Sequence, residues 1–371
     1  MTFLVSAFIC LIPFSYASIT GIRVLFFQAI LGLCIIFYNF AFKKMRFCFS
    51  LIGFFLSAMF FIVFCYALFT GYVNELLSFI VFFVILYAVS SSVRGGYLDA
   101  YMFNTLYVAG AIFTAVGIFV QYGLHRLYGL ELFNYQQFGG GRNAYGFIWA
   151  DYSFLSLYLI SAVPLLFRRF SFLVAIALML LVVLASILTS ARTGFAALLL
   201  FLVLVVVVFI LKGLVVGKIN RYVLALVISA FMSPFFFIYG LEALTGRALS
   251  ISSSGRFEDF ITGWSFFSEN PFFGSLLNKD FYYNSVATIP HNIFIYMLYM
   301  GGLVLFAIFM GWLLSNACLV ARGDRGIAYS LLIVFLGFQF IPSFFSAYFV
   351  AVLLGFALSE AKVRDFSSTL N

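Results

Sequence analysis

Apolar runs of about 20 residues recur along this chain, separated by short charged or polar clusters. A helix needs about 20 predominantly apolar residues to cross the hydrocarbon core of a bilayer, which is about 30 Å thick. Of the 371 residues, 65% are hydrophobic and 9% are charged, and a water-soluble domain of this length could not bury so much apolar surface. The pattern therefore predicts an all-α polytopic membrane protein, with residues 1–371 forming a single membrane domain.

About 12 of these runs have the length and composition of a transmembrane (TM) helix. The predicted spans comprise residues 3–20, 23–42, 47–69, 73–92, 100–121, 144–166, 170–188, 194–211, 221–241, 290–316, 326–341 and 343–360. With a cytoplasmic N-terminus, thirteen of the 20 Lys and Arg residues lie on the inner side, mostly in short loops where the positive-inside rule is strongest. We therefore expect both termini to be cytoplasmic. Two long outer loops are predicted at residues 122–144 and, between TM9 and TM10, at residues 242–290.

The second outer loop contains the sequence "SSSGRFEDFITGWSFFSENPFFG". Its serines supply an N-cap and Pro271 a stop, which predicts an amphipathic interfacial helix near residues 256–268. At about 100° per residue, Trp264 lies on the apolar arc and Arg256 at its edge, while Glu258 and Asp259 point to water. Arg256 is thus placed to meet the phosphates of an amphiphilic substrate, and a plain interfacial anchor is the alternative.

Two further outer segments contain candidate functional side chains. Arg192 lies in "SARTG", a hairpin between TM7 and TM8, at a depth where it can reach a ligand phosphate or act as a snorkelling anchor. His291 and Asn292 follow Pro290, which suits the first position of a helix and so predicts both in the first turn of TM10. That positive helix end attracts an anion and disfavours an imidazolium, which leaves a neutral base, although a structural histidine is the alternative.

The segment "GGGRNAYGFIWADYSFLSLYL" lies at the start of TM6. Arg142 joins the outer basic residues, and Asp151, predicted about two turns into the span, either pairs with an arginine or binds an acceptor. Neither a GxGxxG loop, a DxD, HExxH or GxSxG motif, nor a P-loop is present, so no metal and no cofactor is predicted. No basic run is longer than two residues, which excludes nucleic acid as a partner.

In their order along the chain, these motifs resemble the bacterial O-antigen ligase and oligosaccharide repeat-unit polymerase superfamily, of the membrane glycosyltransferase C class. The resemblance rests on "SARTG", on "RFEDFITGWSFFSENPFFG", and on "HN" opening a helix that continues to "GG" at residues 301–302. The segment "RNAYGFIWADYSFLSLYL" is similar to an arginine- and glycine-containing segment, with the span that follows it, in repeat-unit polymerases.

The resemblance implies inverting, metal-independent transfer of a glycan from an undecaprenyl-diphosphate-linked oligosaccharide donor to a sugar hydroxyl. The reaction would take place at the periplasmic face of the bacterial inner membrane. Arg192 and Arg256 would hold the diphosphate, and His291 would orient or deprotonate the acceptor hydroxyl. The remaining candidates for substrate binding are Arg142, Asp151, Asn292 and Trp264.

The acceptor distinguishes a polymerase, which extends a lipid-linked repeat unit, from a ligase, which transfers to lipid A core. Ligases often carry a histidine motif ending in G-x-x-G, whereas Gly302 is followed here by Leu303, Val304 and Leu305. This departure and the segment around Asp151 favour an O-antigen or capsule polymerase, with a chain-length regulator as a partner. A flippase or transporter of the same glycan is a more distant alternative, because these spans carry almost no ionisable residues near the bilayer midplane.

Overall fold

The computed structural model describes residues 1–19, 22–43, 51–71, 73–138, 142–216, 256–278 and 290–368. The chain is mostly helical, and its strands form two small antiparallel pairs, β1 (Ser18–Ile19) with β2 (Ile22–Arg23) and β3 (Tyr135–Phe138) with β4 (Arg142–Tyr145). The helices in these ranges are α1 (Thr2–Cys10), α2 (Val24–Lys43), α3 (Leu51–Thr70), α4 (Val73–Arg94), α5 (Ala100–Tyr128), α6 (Tyr152–Ser161), α7 (Val163–Arg169), α8 (Phe172–Leu188), α9 (Thr193–Val216), α10 (Arg256–Glu269), α11 (Ile293–Val320), α12 (Arg325–Gly337) and α13 (Tyr348–Ser368).

Six of the described helices, α2, α3, α4, α5, α9 and α11, are long and apolar enough to cross a membrane. Shorter apolar helices occur at α1, α8, α12 and the first part of α13. A helix bonds its backbone polar groups internally, which a bilayer requires of any segment that crosses it. The structure therefore agrees with the predicted all-α membrane class, while the number of spans and the cytoplasmic termini stay predictions.

The first predicted span, residues 3–20, is wrong in its extent. The helix ends at Cys10, Pro13 lies in a short 3-10 turn, and the β1–β2 hairpin follows. Proline lacks a backbone N–H and cannot continue the α-helical bonding pattern, although a single proline lowers the mean hydropathy of so apolar a run only slightly. The predicted span 221–241 lies outside the described residues.

The sixth predicted span, residues 144–166, is also wrong in its extent. Its first residues belong to strand β4, and the helix begins only at Tyr152. Pro164 lies in the first turn of α7, so that two short helices replace one continuous helix. Hydropathy measures how favourable it is to transfer residues to lipid, and it carries no information about where a helix begins or breaks.

The described part of the chain divides into two compact units. The first comprises Met1–Leu106, Ser252–Ala328 and Phe338–Asn371, and the second comprises Tyr107–Ile251 and Tyr329–Gly337. In the first unit, α4 packs along α2 and α13, and α11 packs against α3, α10 and α13. In the second unit, α6 packs against α8 and α9.

The core of the first unit is aromatic. Phe83 of α4, Trp312 of α11 and Phe345 lie with their ring centroids 6.0 to 6.4 Å apart. A hydrogen bond of 2.5 Å between the hydroxyl groups of Ser90 and Ser359 joins α4 to α13. Together these contacts fix the body of α11, at whose N-terminal end His291 lies.

Helix α11 is interrupted at Gly302, where φ is 64° and ψ is −169°. The segment that follows α10 fills the interruption, because Leu303 N–H donates to Pro271 O at 2.8 Å and Leu277 N–H donates to Met300 O at 2.8 Å. Backbone groups released from helical bonding thus find partners, as buried backbone requires. Backbone hydrogen bonds thus join the motif "PFFG" to the helix turn that follows "GG", although the two motifs are far apart in sequence.

The core of the second unit surrounds α6, whose residues from Phe154 to Ser161 are buried. Ser156 Oγ lies 2.7 Å from Ser186 Oγ of α8, and Ser161 Oγ lies 2.7 Å from the hydroxyl of Tyr107. These pairs satisfy the polar groups of a helix with no exposed side. The Ser156–Ser186 pair also holds the end of α8, after which the turn with Arg192 follows.

Candidate active site

His291 lies immediately before helix α11, and Asn292 is the N-cap. The Asn292 Oδ1 accepts hydrogen bonds from the N–H groups of Phe294 at 3.0 Å and Ile295 at 3.2 Å, and its Nδ2 donates to Gln339 Oε1 at 3.1 Å. Asn292 has extended backbone, with φ −147° and ψ 129°, which is the usual conformation of an N-cap. The predicted placement of His291 and Asn292 inside the first turn is therefore wrong.

The N–H groups at the start of α11 have protein acceptors. Ile293 N–H donates to Phe338 O at 3.0 Å, and Asn292 accepts from the next two residues. Tyr296 N–H makes the first helical bond, to Asn292 O at 2.8 Å. An anion at a helix N-terminus needs free N–H donors. The anion site predicted at this helix end therefore lacks its donors.

Asp259 of α10 is the charged neighbour of His291. Its Oδ2 lies 3.3 Å from His291 Nδ1, and the side chains of Asp259 and His291 are 11% and 41% exposed. Glu258 is exposed, as predicted. The same prediction for Asp259 was wrong, because α10 packs on α11 with this carboxylate turned toward the histidine.

Residues four apart on α10 face α11 and position Asp259. A Cβ atom at Gly263 would lie 2.5 Å from Pro290 Cγ and 2.8 Å from Ile295 Cγ2, so this close approach requires glycine. One turn further, Phe267 is 9% exposed and packs against Ile295. The spacing of Asp259, Gly263 and Phe267, each four residues after the last, is the sequence signal for this face, and it is not visible in an arc defined by apolar residues alone.

The other face of α10 exposes large apolar side chains. Phe260, Ile261 and Trp264 are 43%, 53% and 51% exposed. The bounds Arg256–Glu269 confirm the helix predicted near residues 256–268, and the side chain of Arg256 lies outside the described part. An exposed apolar face on a helix that also carries charges suits a membrane interface. That orientation stays a prediction.

Arg192 lies in the turn between α8 and α9, one residue before α9 begins. The turn is tight, because Ser190 has a φ of 60° and Ala191 N–H donates to Thr189 Oγ1 at 3.2 Å. Arg192 is half-buried, and it has no acidic partner within the described ranges. The turn fixes the backbone beside Arg192, and a guanidinium can bind a phosphate through two parallel hydrogen bonds.

Gly194 brings the start of α9 against α6. Its N–H donates to Ser156 Oγ at 3.1 Å, and a Cβ atom there would lie 2.4 Å from Ser156 O. We expect Gly194→Ala to displace the turn that carries Arg192 and to destabilise the protein by about 1–3 kcal/mol, as overpacking does. Thermal unfolding in detergent measures this effect. Gly123→Ala is the control, because a Cβ atom at Gly123 meets nothing within 4 Å, and equal midpoints for the two variants would contradict the prediction.

Asp151 is the N-cap of α6. Its Oδ1 accepts hydrogen bonds from the N–H groups of Ser153 and Phe154, each at 2.9 Å. Burial raises the pKa of the Asp151 carboxyl above its usual range, and the two N–H donors offset part of that rise. Its predicted position two turns into TM6 is wrong, and an acceptor-binding role stays a prediction. Arg142 begins β4, and its side chain lies outside the described part.

The other histidine, His125, belongs to an aromatic cluster in the second unit. Its Nδ1 lies 2.8 Å from the hydroxyl oxygen of Tyr145, and its ring centroid lies 4.4 Å from that of Tyr135. Both tyrosines belong to the β3–β4 hairpin, in which they form a register pair. His125 thus holds the end of α5 against this hairpin.

The structure brings Asp259, His291 and Asn292 together within the first unit, with Trp264 on the exposed face of the same α10. Arg192 and Asp151 belong to the second unit. These features define a multi-pass helical membrane protein with a half-exposed histidine held beside a carboxylate.

A model of the family described as O-antigen ligase matches residues 154–310. The match confirms, over these residues, the resemblance to the O-antigen polymerase and ligase superfamily. Arg192, Arg256 and His291 lie within the matched segment, whereas Arg142 and Asp151 precede it. Comparison with curated proteins gives no match.

Proposed function

We propose that the protein is a repeat-unit polymerase that transfers a glycan from a polyprenyl-diphosphate carrier to a sugar hydroxyl at the periplasmic face of the inner membrane. The family match implies a lipid-linked glycan substrate and glycosyltransferase-type activity in general. The observation that carries the proposal is His291, which is half-exposed and held at Nδ1 by Asp259, while its Nε2 has no partner in the part of the chain described.

The reaction requires a base for the acceptor and cations for the leaving group. The acceptor hydroxyl oxygen bonds to the anomeric carbon of the donor, and its proton passes to His291 Nε2. The bond from that carbon to the diphosphate oxygen breaks, and its electron pair leaves with the carrier diphosphate. Arg192 and Arg256 stabilise this developing charge through bidentate contacts. Attack from the side opposite the leaving group inverts the anomeric configuration.

The four remaining candidates bind substrate in this proposal. Trp264 is exposed on α10, where its ring offers an apolar face to a sugar or to the carrier lipid. The other three are Asn292, the N-cap beside His291, Arg142 at the start of β4, and Asp151, the N-cap of α6. All four residues are proposed to contribute to substrate binding, and only His291 is proposed to accept a proton.

A ligase is the second candidate, because the matching family model is described as O-antigen ligase and spans Arg192, Arg256 and His291. The two activities use the same donor and differ in the acceptor. We retain the polymerase because the residues after Gly302 depart from the ligase histidine motif.

The surface polysaccharide of a strain that lacks this gene distinguishes the two activities. For a polymerase we expect loss of long chains with a single repeat unit remaining on the core, and reintroducing the gene should restore the ladder on a gel. Loss of even the single unit would instead identify a ligase. A ladder that is unchanged in the deletion strain would contradict both activities.

A further inference from the structure

We propose that Asp259 is a positioning residue that keeps His291 in the Nδ1–H tautomer and so leaves Nε2 as the basic nitrogen. The inference rests on the proposed function, in which His291 accepts the proton of the acceptor hydroxyl. Asp259 thereby gains a role, whereas the sequence predicted only that its side chain points to water.

The chemistry of the two groups determines the direction of the hydrogen bond. An ionised carboxylate can only accept, so the Nδ1 atom that lies 3.3 Å from Asp259 Oδ2 must carry the proton. A neutral imidazole has one N–H group, and its other nitrogen then has a free lone pair. Removing the carboxylate would leave both tautomers available, and only one of them presents a basic Nε2.

The surroundings hold both partners in place. Asp259 is 11% exposed, and the close approach of Gly263 to Pro290 and to Ile295 of α11 fixes the distance between Asp259 and that helix. On the other side, the cap hydrogen bonds of Asn292 hold the residue next to His291. An exposed ion pair between two flexible side chains would lack such support.

The charge near His291 comes from this one carboxylate among the described residues of α10 and α11. Glu258, the adjacent acid on α10, is exposed, and Asn292 and its partner Gln339 are neutral. Glu258 therefore offers a matched control, since Glu258→Gln removes a carboxylate from the same helix turn without touching the histidine.

Nitrogen NMR of protein labelled with ¹⁵N-histidine tests the tautomer directly. The chain has 2 histidines, so a His125→Gln background leaves His291 as the only signal. At about pH 9, where histidines are neutral, we expect an Nδ1–H spectrum for the parent protein in lipid nanodiscs. Asp259→Ala should shift it toward Nε2–H, and Glu258→Gln should leave it unchanged.

Polymer formation by the same variants links the tautomer to function. We expect Asp259→Ala to slow chain growth by about 10-fold to 100-fold, a part of the roughly 10²–10⁴ that a positioned base contributes. Asp259→Glu keeps an acceptor and should recover part of the rate, whereas Glu258→Gln should match the parent.

The possible results separate the two proposals. An Nε2–H spectrum in the parent, or a spectrum that Asp259→Ala does not change, would overturn the positioning role. Normal chain growth by a folded Asp259→Ala variant would overturn it as well. Normal growth by His291→Ala would instead remove the proposed base, whatever the NMR spectrum of the parent shows.

Discussion

Arg192→Ala is expected to reduce glycan transfer by at least about 100-fold, because preorganised cations that stabilise a leaving group contribute a large part of catalysis. Arg192 is half-buried in a tight turn and has no acidic partner among the described residues. In the proposed reaction its guanidinium binds the diphosphate of the donor. Chain growth by membranes that contain the variant, at matched protein amounts, measures the loss.

Two comparisons make this result specific. Arg192→Lys keeps the charge but loses the planar fork that binds two phosphate oxygens, so we expect an intermediate rate. Arg126→Ala removes an exposed arginine from the end of α5 and should leave the rate near that of the parent. Equal rates for Arg192→Ala and Arg126→Ala, with both proteins folded, would exclude Arg192 from the reaction.

Gly302→Ala is expected to destabilise the protein by about 3 kcal/mol or more, through backbone strain and overpacking combined. The φ of 64° at this position suits glycine, and a Cβ atom there would lie 2.3 Å from the carbonyl carbon of Phe272. The added methyl group would separate the segment after α10 from α11. Because α10 carries Asp259, the variant should lose the contact with His291 as well.

The fraction of protein that elutes as a single species in detergent and its unfolding midpoint measure the effect at Gly302. Gly123→Ala makes the same chemical change in a helix, where open space surrounds the new methyl group. It should be neutral or stabilising by up to about 1 kcal/mol. A Gly302→Ala protein that unfolds at the parent's temperature would show that the interruption of α11 does not need glycine.

Long apolar runs were the part of the fold that sequence could predict well. The helices α2, α3, α4 and α11 lie close to predicted spans, because about 20 apolar residues between polar clusters specify a membrane helix locally. The errors of extent at residues 3–20 and 144–166 come from prolines and from a strand pairing. Hydropathy averages over such features and therefore does not place the ends of helices.

The sequence by itself determined the membrane class, the amphipathic helix α10 and the motifs that resemble the O-antigen polymerase and ligase superfamily, since each depends on residues that are near one another in the chain. Only the tertiary structure decided that Asp259 meets His291, 32 residues further along, and that the segment after α10 fills the interruption at Gly302. Both depend on how closely α10 approaches α11. The absence of a side chain at Gly263 and Gly302 permits that approach. A missing side chain changes the packing only where a partner segment lies against it, and the tertiary structure alone identifies that segment.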